Sequence, residues 1–189
     1  MLYYMNLTFI GNCQSVSLCF YFQQLLIDWN IQWVLYGDEF KMHLGEWSNK
    51  TKNKILNYDI SIDVIKKSDF IIYQEISKEK SLFCNTETLQ SIKKESCRLI
   101  IIPSIYFDYS DISTKELKKR EIINKVDISV LAILEKYKDR SLMIATDHPN
   151  TFLFLEIVNE LCKILNVNTF TKFTRDLFLE DNNYMKLPT

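Results

Sequence analysis

Apolar and polar residues follow two different periods along this chain. Five short runs are almost entirely apolar, which is typical of strands buried on both faces, and they are Leu7–Ile10, Gln32–Tyr36, Asp69–Tyr73, Arg98–Ile102 and Leu142–Ala145. Between and after them lie segments with the spacing of helices, and these are Val16–Trp29, Asn49–Asn57, Ile60–Lys67, Asn85–Lys94, Ser113–Tyr137 and Thr151–Leu165. Strands that alternate with helices predict an α/β fold, a three-layer αβα sandwich around a mainly parallel sheet of about five strands.

Two of the predicted helices have residues typical of helix caps near their starts. Ser113 and Glu116 have the spacing of a capping box at the start of the longest helix. Asp147 or His148 can cap the last helix, and Pro149 suits a first helical turn. We therefore expect these positions to fix where the two helices begin.

The length of 189 residues predicts one domain, residues 1–189, with a full hydrophobic core. Apolar residues make up 47% of the chain and charged residues 25%, which is the balance of a globular protein. No linker rich in Gly and Ser divides the sequence. The tail, residues 170–189, contains enough apolar side chains to pack back onto the body or onto a partner.

The formal net charge of −1 excludes a strong bulk attraction to nucleic acid or to an anionic membrane. No apolar run reaches the length that a membrane-spanning helix needs. The phosphate-binding P-loop pattern is missing as well, which disfavours a kinase. We therefore expect no nucleic-acid partner and no membrane span.

The cysteines and histidines bear on compartment and metal content. Five cysteines without a CxxC pair argue against a disulfide framework and for a reducing, cytoplasmic location. The first residues lack the basic start and long apolar core of a secretory signal. Two histidines are too few for a histidine-rich metal site, so no metal cofactor is expected.

Chemically capable residues are concentrated in the segments that follow the predicted strands. These segments are Gly11–Ser15, Gly37–Trp47, Gln74–Ser77, Pro103–Asp111 and Thr146–Asn150. In an open parallel sheet, ligands bind beyond the carboxyl ends of the strands. We therefore expect a functional site at that edge of the sheet.

Cys13 is the candidate nucleophile. It follows Gly11 at a strand-to-helix turn, where unpaired backbone N–H groups and the helix dipole favour negative charge. Such a position lowers the pKa of a thiol and makes its sulfur reactive. A buried, inert side chain is the alternative, and it is the expected state of Cys19, Cys84, Cys97 and Cys162.

His148 is the candidate general base. Its imidazole is the side chain best suited to accept a proton near neutral pH. Asp147 precedes it directly and is a candidate to orient the ring. The alternative for both residues is the capping role given above.

Further residues of these segments are candidate oxyanion or substrate contacts. Amides can donate to a developing oxyanion, and aromatic and histidine rings can line a pocket for a sugar or nucleotide. The candidates are Gly11, Asn12, Gln14, Ser15, Gln74, His43, Tyr106 and Tyr109. Ordinary hydrogen bonding within surface loops is the alternative for each of them.

Four short motifs resemble the WcbI-like polysaccharide biosynthesis family over about residues 7–165. They are GNCQS after the first strand, DFIIYQ at the third, the segment PSIYFDY, and HPN before the last helix. That family is similar in fold to the SGNH hydrolases, with a cysteine where the hydrolases have serine. The resemblance implies an SGNH- or flavodoxin-like sandwich, with Cys13 in the nucleophile position, Gln74 near the oxyanion block and His148 as the catalytic histidine.

The same resemblance implies a function. The family is associated with coenzyme A binding and glycan acetylation, so the implied activity is transfer of an acetyl group from acetyl-CoA to a hydroxyl or amino group. The implied acceptor is a sugar or nucleotide sugar, and a fusion to or association with another glycan-modifying enzyme is a further expected partnership. Two alternatives stay open: a thiol esterase or deacetylase, and a non-catalytic module that binds coenzyme A or a nucleotide.

Overall fold

The computed structural model describes residues 5–35, 58–76 and 83–180. Its chain divides into two compact units, the first ending at Ile102 and the second beginning at Pro103. The predicted helix Asn49–Asn57 and the predicted loop Gly37–Trp47 lie outside the described residues. A single domain over residues 1–189 stays a prediction.

A four-stranded parallel sheet forms the centre of the first unit. Its strands are β1 (Asn6–Gly11), β2 (Asn30–Leu35), β3 (Phe70–Gln74) and β4 (Arg98–Ile102). They lie in the order β2-β1-β3-β4, so β1 and β3 are the central strands. In the register of the sheet, Leu7 of β1 lies between Ile31 and Phe70. Parallel strands need helical crossovers, which explains the alternation seen in the sequence.

Three described helices of the first unit cover this sheet: α1 (Cys13–Leu25), α2 (Tyr58–Lys67) and α3 (Thr86–Ile92). Phe9 of β1 packs against Phe22 of α1, with ring centroids 5.5 Å apart. Its neighbour Ile10 belongs to a different core cluster, together with Ile65 of α2 and Leu89 of α3. Successive strand residues point to opposite faces, so β1 is buried on both sides.

In its described residues, 103–180, the second unit contains four helices and one small hairpin. The helices are α4 (Asp111–Asn124), α5 (Val130–Lys136), α6 (Thr151–Leu165) and α7 (Lys172–Glu180). The hairpin is formed by β5 (Met143–Ala145) and β6 (His148–Pro149), which pair antiparallel. Helix α6 contacts α5, α7 and β6, and Phe170 and Phe178 stack edge to face at 5.0 Å beside it.

The predicted α/β class with a mainly parallel sheet flanked by helices, as in a three-layer αβα sandwich, is confirmed. The predicted strand count was slightly too high, because residues 143–145 pair with β6 and the described main sheet has four strands. Two neighbours in that short segment, Ile144 and Ala145, are exposed. The apolar run therefore does not mark a strand buried on both faces.

Three predicted helix boundaries were wrong. Ser110, not Ser113, caps α4 by accepting a hydrogen bond from the backbone N–H of Ser113. Lys125 then ends α4 in the left-handed conformation, with φ of 49°, so the predicted helix over 113–137 is two helices. Helix α1 begins at Cys13, three residues before the predicted start.

The predicted caps of the last helix were also wrong. Asn150 is the N-cap of α6, and its side chain accepts a hydrogen bond from the N–H of Leu153 at 2.9 Å. His148 and Pro149 lie in β6 instead. His148 therefore does not cap α6.

None of the helices within the described ranges is long and apolar enough to cross a membrane.

A buried carboxylate joins three elements of the second unit. Glu156 of α6 accepts hydrogen bonds from Tyr137 at 2.8 Å and from Arg175 of α7 at 2.6 Å. Burial raises the pKa of this carboxyl, but the hydrogen bonds from Arg175 and Tyr137 outweigh burial, and the pKa lies below its ordinary value of 4.5. The ionised form therefore stabilises the packing of α7 on α6.

Replacing this carboxylate should make stability less dependent on pH. Because the pKa is lowered in the folded state, Glu156 contributes stability above about pH 4.5, and that contribution is lost as pH falls through the folded-state pKa. We expect Glu156→Gln to lower the free energy of unfolding at pH 7 by about 1 to 3 kcal/mol, with a smaller difference in acid. Urea unfolding at several pH values measures this.

The matched control is Glu160→Gln on the same helix. Glu160 pairs with Lys163 at the exposed surface, so its removal should cost less than about 0.5 kcal/mol. Equal losses in the two variants would contradict the role given to Glu156.

Candidate functional site

The turn between β1 and α1 positions Cys13. Asn12 is the N-cap of α1, with extended backbone, and its side-chain oxygen accepts a hydrogen bond from the N–H of Gln14 at 2.9 Å. The carbonyl of Asn12 also accepts a hydrogen bond from the N–H of Ser15 at 3.0 Å. Cys13 is consequently the first residue of the helix, and it is half-buried. Its sulfur stands where the helix dipole favours negative charge.

Gln74, at the end of β3, is hydrogen-bonded to this turn. Its side-chain oxygen accepts a hydrogen bond from the N–H of Asn12 at 2.9 Å, and its side-chain nitrogen donates to the side-chain oxygen of Gln14 at 3.0 Å. Gln74 is fully buried. The structure thus brings together three of the predicted site residues, Asn12, Gln14 and Gln74. Their contact with an oxyanion stays a prediction, since the bonds they form here hold the turn in place.

The Ser15 and Gln74 side chains lie so close to Gly11 that no side chain fits at this position. A Cβ atom built on this residue would overlap with the side-chain oxygens of Ser15 and Gln74, and would lie 3.1 Å from the Gln74 side-chain carbon. The Gln74 amide cannot easily move, because two hydrogen bonds fix it. The glycine therefore allows β3 to approach the β1–α1 turn.

Ser15 has a buried hydroxyl without a hydrogen-bond partner among the described residues. The residue is only 1% exposed. Burying an unpaired hydroxyl costs free energy, so this position is less favourable than the rest of the turn. The Ser15 hydroxyl lies close to Gly11, and both residues belong to the predicted segment that contains Cys13.

The other four cysteines are buried, as predicted. Burial raises the pKa of the Cys19 thiol to about 12 and that of Cys162 to about 11. Burial also raises the pKa of Cys97 to about 11. A protonated, buried thiol is a poor nucleophile, and Cys13 differs from all four in its exposure.

His148 lies at the end of the β5–β6 hairpin in the second unit. Ala145 pairs with His148, so Thr146 and Asp147 form the two-residue turn between them. The Asp147 carboxylate contacts Nδ1 of His148 at 2.6 Å, and both side chains are partly exposed. The predicted pair is therefore in contact, with Nε2 left as the nitrogen that can take a proton. Catalysis by these two residues stays a prediction.

The aromatic residues of the segment after β4 are placed differently from one another. Tyr106 is half-exposed, and the Arg120 guanidinium lies 5.7 Å from its ring centre. The Tyr109 hydroxyl accepts hydrogen bonds from the backbone N–H groups of Leu142 and Met143. The predicted contact of Tyr106 and Tyr109 with a substrate stays untested. His43, the remaining candidate, lies outside the described residues.

Asp108 lies between these two tyrosines and is fully exposed. Hydrogen bonds from the Ser110 and Ser113 side chains hold the pKa of its carboxyl at about 2. Asp108 is therefore ionised throughout the neutral range. Among the described residues, no group of three or more His, Cys, Asp or Glu side chains could hold a metal ion.

Asn150 and Phe107 were not among the candidate residues predicted from the sequence. Asn150 caps α6, and its N–H donates to the carbonyl of Leu142 at 2.9 Å, which closes the hairpin. Phe107 donates its N–H to the carbonyl of Thr146 in the hairpin turn at 2.7 Å. Asparagine is a preferred cap residue, so its type was a usable signal. The Phe107 contact involves only backbone atoms and left no trace in the residue types.

The fold and the turn geometry define an α/β protein with a chemically capable turn at the carboxyl end of its central strand. No protein-family model and no curated protein sequence matches the chain. Among solved structures, the chain is similar to WcbI, described as a novel polysaccharide biosynthesis enzyme in its native form without a disulfide bond between coenzyme A and a cysteine. The TM-score is 0.63 at 14% identity, over 88% of this chain and 71% of that one. The resemblance to WcbI is thus confirmed at the level of the fold.

Adding a methyl group at Gly11 should destabilise the chain. We expect Gly11→Ala to lower the free energy of unfolding by about 1 to 3 kcal/mol, because the new Cβ overlaps with Ser15 and Gln74. Chemical unfolding measures the loss.

The double variant Gly11→Ala/Ser15→Ala removes one of the two overlaps and should recover part of that loss, beyond the effect of Ser15→Ala alone. Additive effects of the two substitutions, or a neutral Gly11→Ala, would contradict the close approach described here.

Proposed function

We propose that this protein is an enzyme of glycan biosynthesis that transfers an acetyl group from acetyl-CoA to a hydroxyl or amino group of a sugar or nucleotide sugar. The observation that supports this most is the fold shared with WcbI, together with a half-buried thiol at the start of α1. WcbI is described as a polysaccharide biosynthesis enzyme, in a native form without a disulfide bond between coenzyme A and a cysteine. Acetyl-CoA is the proposed donor, and no metal takes part.

Cys13 is the proposed contact for the reactive end of coenzyme A. Its position at the N-terminus of α1 favours a negative charge on the sulfur, as in other reactive cysteines. The hydrogen bonds of Gln74 to Asn12 and Gln14 keep this turn rigid. A rigid turn is what an oxyanion site needs, because its donors must not reorganise during the reaction. Gly11 and Ser15 belong to the same proposed site, and His43 and Tyr106 are the proposed contacts for the acceptor.

His148 is the proposed general base, with Asp147 as the residue that orients it. The carboxylate on Nδ1 fixes the imidazole so that Nε2 can take a proton. An amine acceptor needs less of this assistance than a hydroxyl does. The proposal places the reaction in the cytoplasm, where a glycan-modifying enzyme fused to or associated with this chain would supply the acceptor.

Two routes are compatible with these roles. In the first, the Cys13 thiolate attacks the acetyl carbonyl, and coenzyme A leaves as the thiolate. The acceptor, deprotonated by His148, then attacks the acetyl group carried by the cysteine, and the Cys13 thiolate leaves. In the second, the deprotonated acceptor attacks acetyl-CoA directly, and Cys13 only lines the pocket.

A mass measurement tests the contact between Cys13 and coenzyme A. The native chain, incubated with coenzyme A disulfide, should gain the mass of one coenzyme A, which a reductant removes. Cys13→Ser should gain none, although it retains four other cysteines, because those thiols are buried. Glutathione disulfide is the control ligand, and it should react at least tenfold more slowly if the chain recognises coenzyme A.

Equal reaction with both disulfides would show a reactive thiol without a coenzyme A site and would contradict the proposal. Stabilisation by coenzyme A without any acetyl transfer to sugars would favour a binding module. Release of free acetate without an acceptor would favour an esterase. Acetyl-labelled protein in the absence of acceptor selects the first route, and full activity of Cys13→Ala excludes it.

The role of His148 has a separate kinetic test. His148→Gln should lower the rate of acetyl transfer by about 10²- to 10⁴-fold, the range typical of general bases. Stabilisation of the variant by coenzyme A should be unchanged. Asp147→Asn should have a smaller effect on the same rate, since the imidazole itself stays in place. A rate unaffected by His148→Gln would remove this residue from the mechanism.

A further inference from the structure

Three non-glycine residues in the described ranges have positive φ, and Tyr109 is the one that no helix cap explains. Lys125 and Asn166 end α4 and α6, where the left-handed conformation is common. Tyr109 has φ of 63° and precedes the N-cap of α4. For an aromatic residue this conformation is unfavourable. A local gain must therefore compensate for it.

The compensating contact is made by the Tyr109 hydroxyl. It accepts hydrogen bonds from the backbone N–H groups of both Leu142 and Met143, the second at 3.1 Å. Leu142 and Met143 are buried, so these two donors need a protein partner. The ring itself packs edge to face on Phe107, with centroids 5.0 Å apart. Tyr109 is thus fixed at both its ring and its hydroxyl.

Tyr109 binds the base of the β5–β6 hairpin, the same hairpin that carries His148. Met143 pairs with Pro149, and the ladder is irregular between Met143 and Ala145. Proline has no N–H, so the two-stranded ladder lacks a donor on the β6 side. Such a short, irregular hairpin is not stable by itself. Its position depends on contacts from outside, and the Tyr109 hydroxyl supplies two of them.

We propose that Tyr109 is a positioning residue for His148, an inference that rests on the proposed role of that histidine. By holding the base of the hairpin, the Tyr109 hydroxyl keeps Asp147 of the turn and His148 of β6 in the geometry in which the carboxylate contacts Nδ1. This role differs from the substrate contact expected from the sequence, because the hydroxyl is committed to the backbone of Leu142 and Met143.

The imidazole tautomer of His148 tests this directly. Under alkaline conditions the neutral ring should have its proton on Nδ1, facing Asp147, and the ¹⁵N shifts of the ring report this. The chain has two histidines, so the signal lost in His148→Gln is assigned at once. Tyr109→Phe should lower the Nδ1–H to Nε2–H ratio at least threefold, toward the ratio found in Asp147→Asn.

Tyr137→Phe is the matched control. It also removes a hydroxyl hydrogen bond in the second unit, but this hydroxyl donates to Glu156 of α6 and not to the hairpin. It should lose stability and keep the native tautomer ratio. A native ratio in Tyr109→Phe, or an equal change in both variants, would overturn the proposal and leave Tyr109 a structural residue only.

A measurement on the native chain covers the case in which Tyr109→Phe does not fold. The backbone amides of Leu142 and Met143 should exchange with solvent deuterium at least tenfold more slowly than that of exposed Ile144. Equal exchange rates for the three amides would show that the hydrogen bonds to the Tyr109 hydroxyl do not form, and would overturn the proposal. Neither measurement uses coenzyme A or a sugar, so each result stands even if acetyl transfer is not found. Where transfer is found, Tyr109→Phe should lower kcat with KM for acetyl-CoA unchanged.

Discussion

The hydrogen bond from the Asn12 N–H to the buried Gln74 side chain is the constraint on which the first unit depends at the carboxyl edge of its sheet. It joins the ends of the two central strands just where β1 gives way to α1. The same amide donates to Gln14, so strand end, cap and first helical turn form one connected network. Gly11 has to lack a side chain for this network to form. The position of Cys13 follows from these contacts.

In the second unit, hydrogen bonds also fix the segment that carries a candidate site residue, His148. This candidate base lies on a hairpin too short to be stable alone, and the hairpin is fixed by bonds to its backbone from Tyr109, Phe107 and Asn150. In both units a side chain distant in sequence satisfies backbone donors of a turn. Such bonds place a reactive group more accurately than apolar packing, because they are directional.

Most of the helices and strands could be predicted from the sequence, because the spacing of apolar residues and the length of each strand follow from which side chains are buried. Two predicted elements, 98–102 and 151–165, have the observed bounds. The helix break at Lys125 was not predictable, because a left-handed residue in a charged stretch leaves the helical period intact. The pairing of residues 143–145 with β6 depends on contacts across a turn. The candidate site residues were chosen from their residue types, from the predicted strand ends and from short motifs, and their roles stay predictions. The Gln74 network and the Tyr109 contact are tertiary and have no local signature.

Among the described residues, two departures from local rules lie in segments that were predicted to follow strand ends, and a third is the buried side-chain N–H of Trp33 in β2, which has no hydrogen-bond partner there. Ser15 has a buried hydroxyl without a partner among the described residues, and Tyr109 has a left-handed backbone without a capping role. Folded proteins retain such costs chiefly where function requires them. Ser15 and Tyr109 both follow strand ends, where ligands bind in open parallel sheets. Because fold alone does not determine chemistry, the geometry of these turns is a reason to seek the reaction there that does not depend on the fold shared with WcbI.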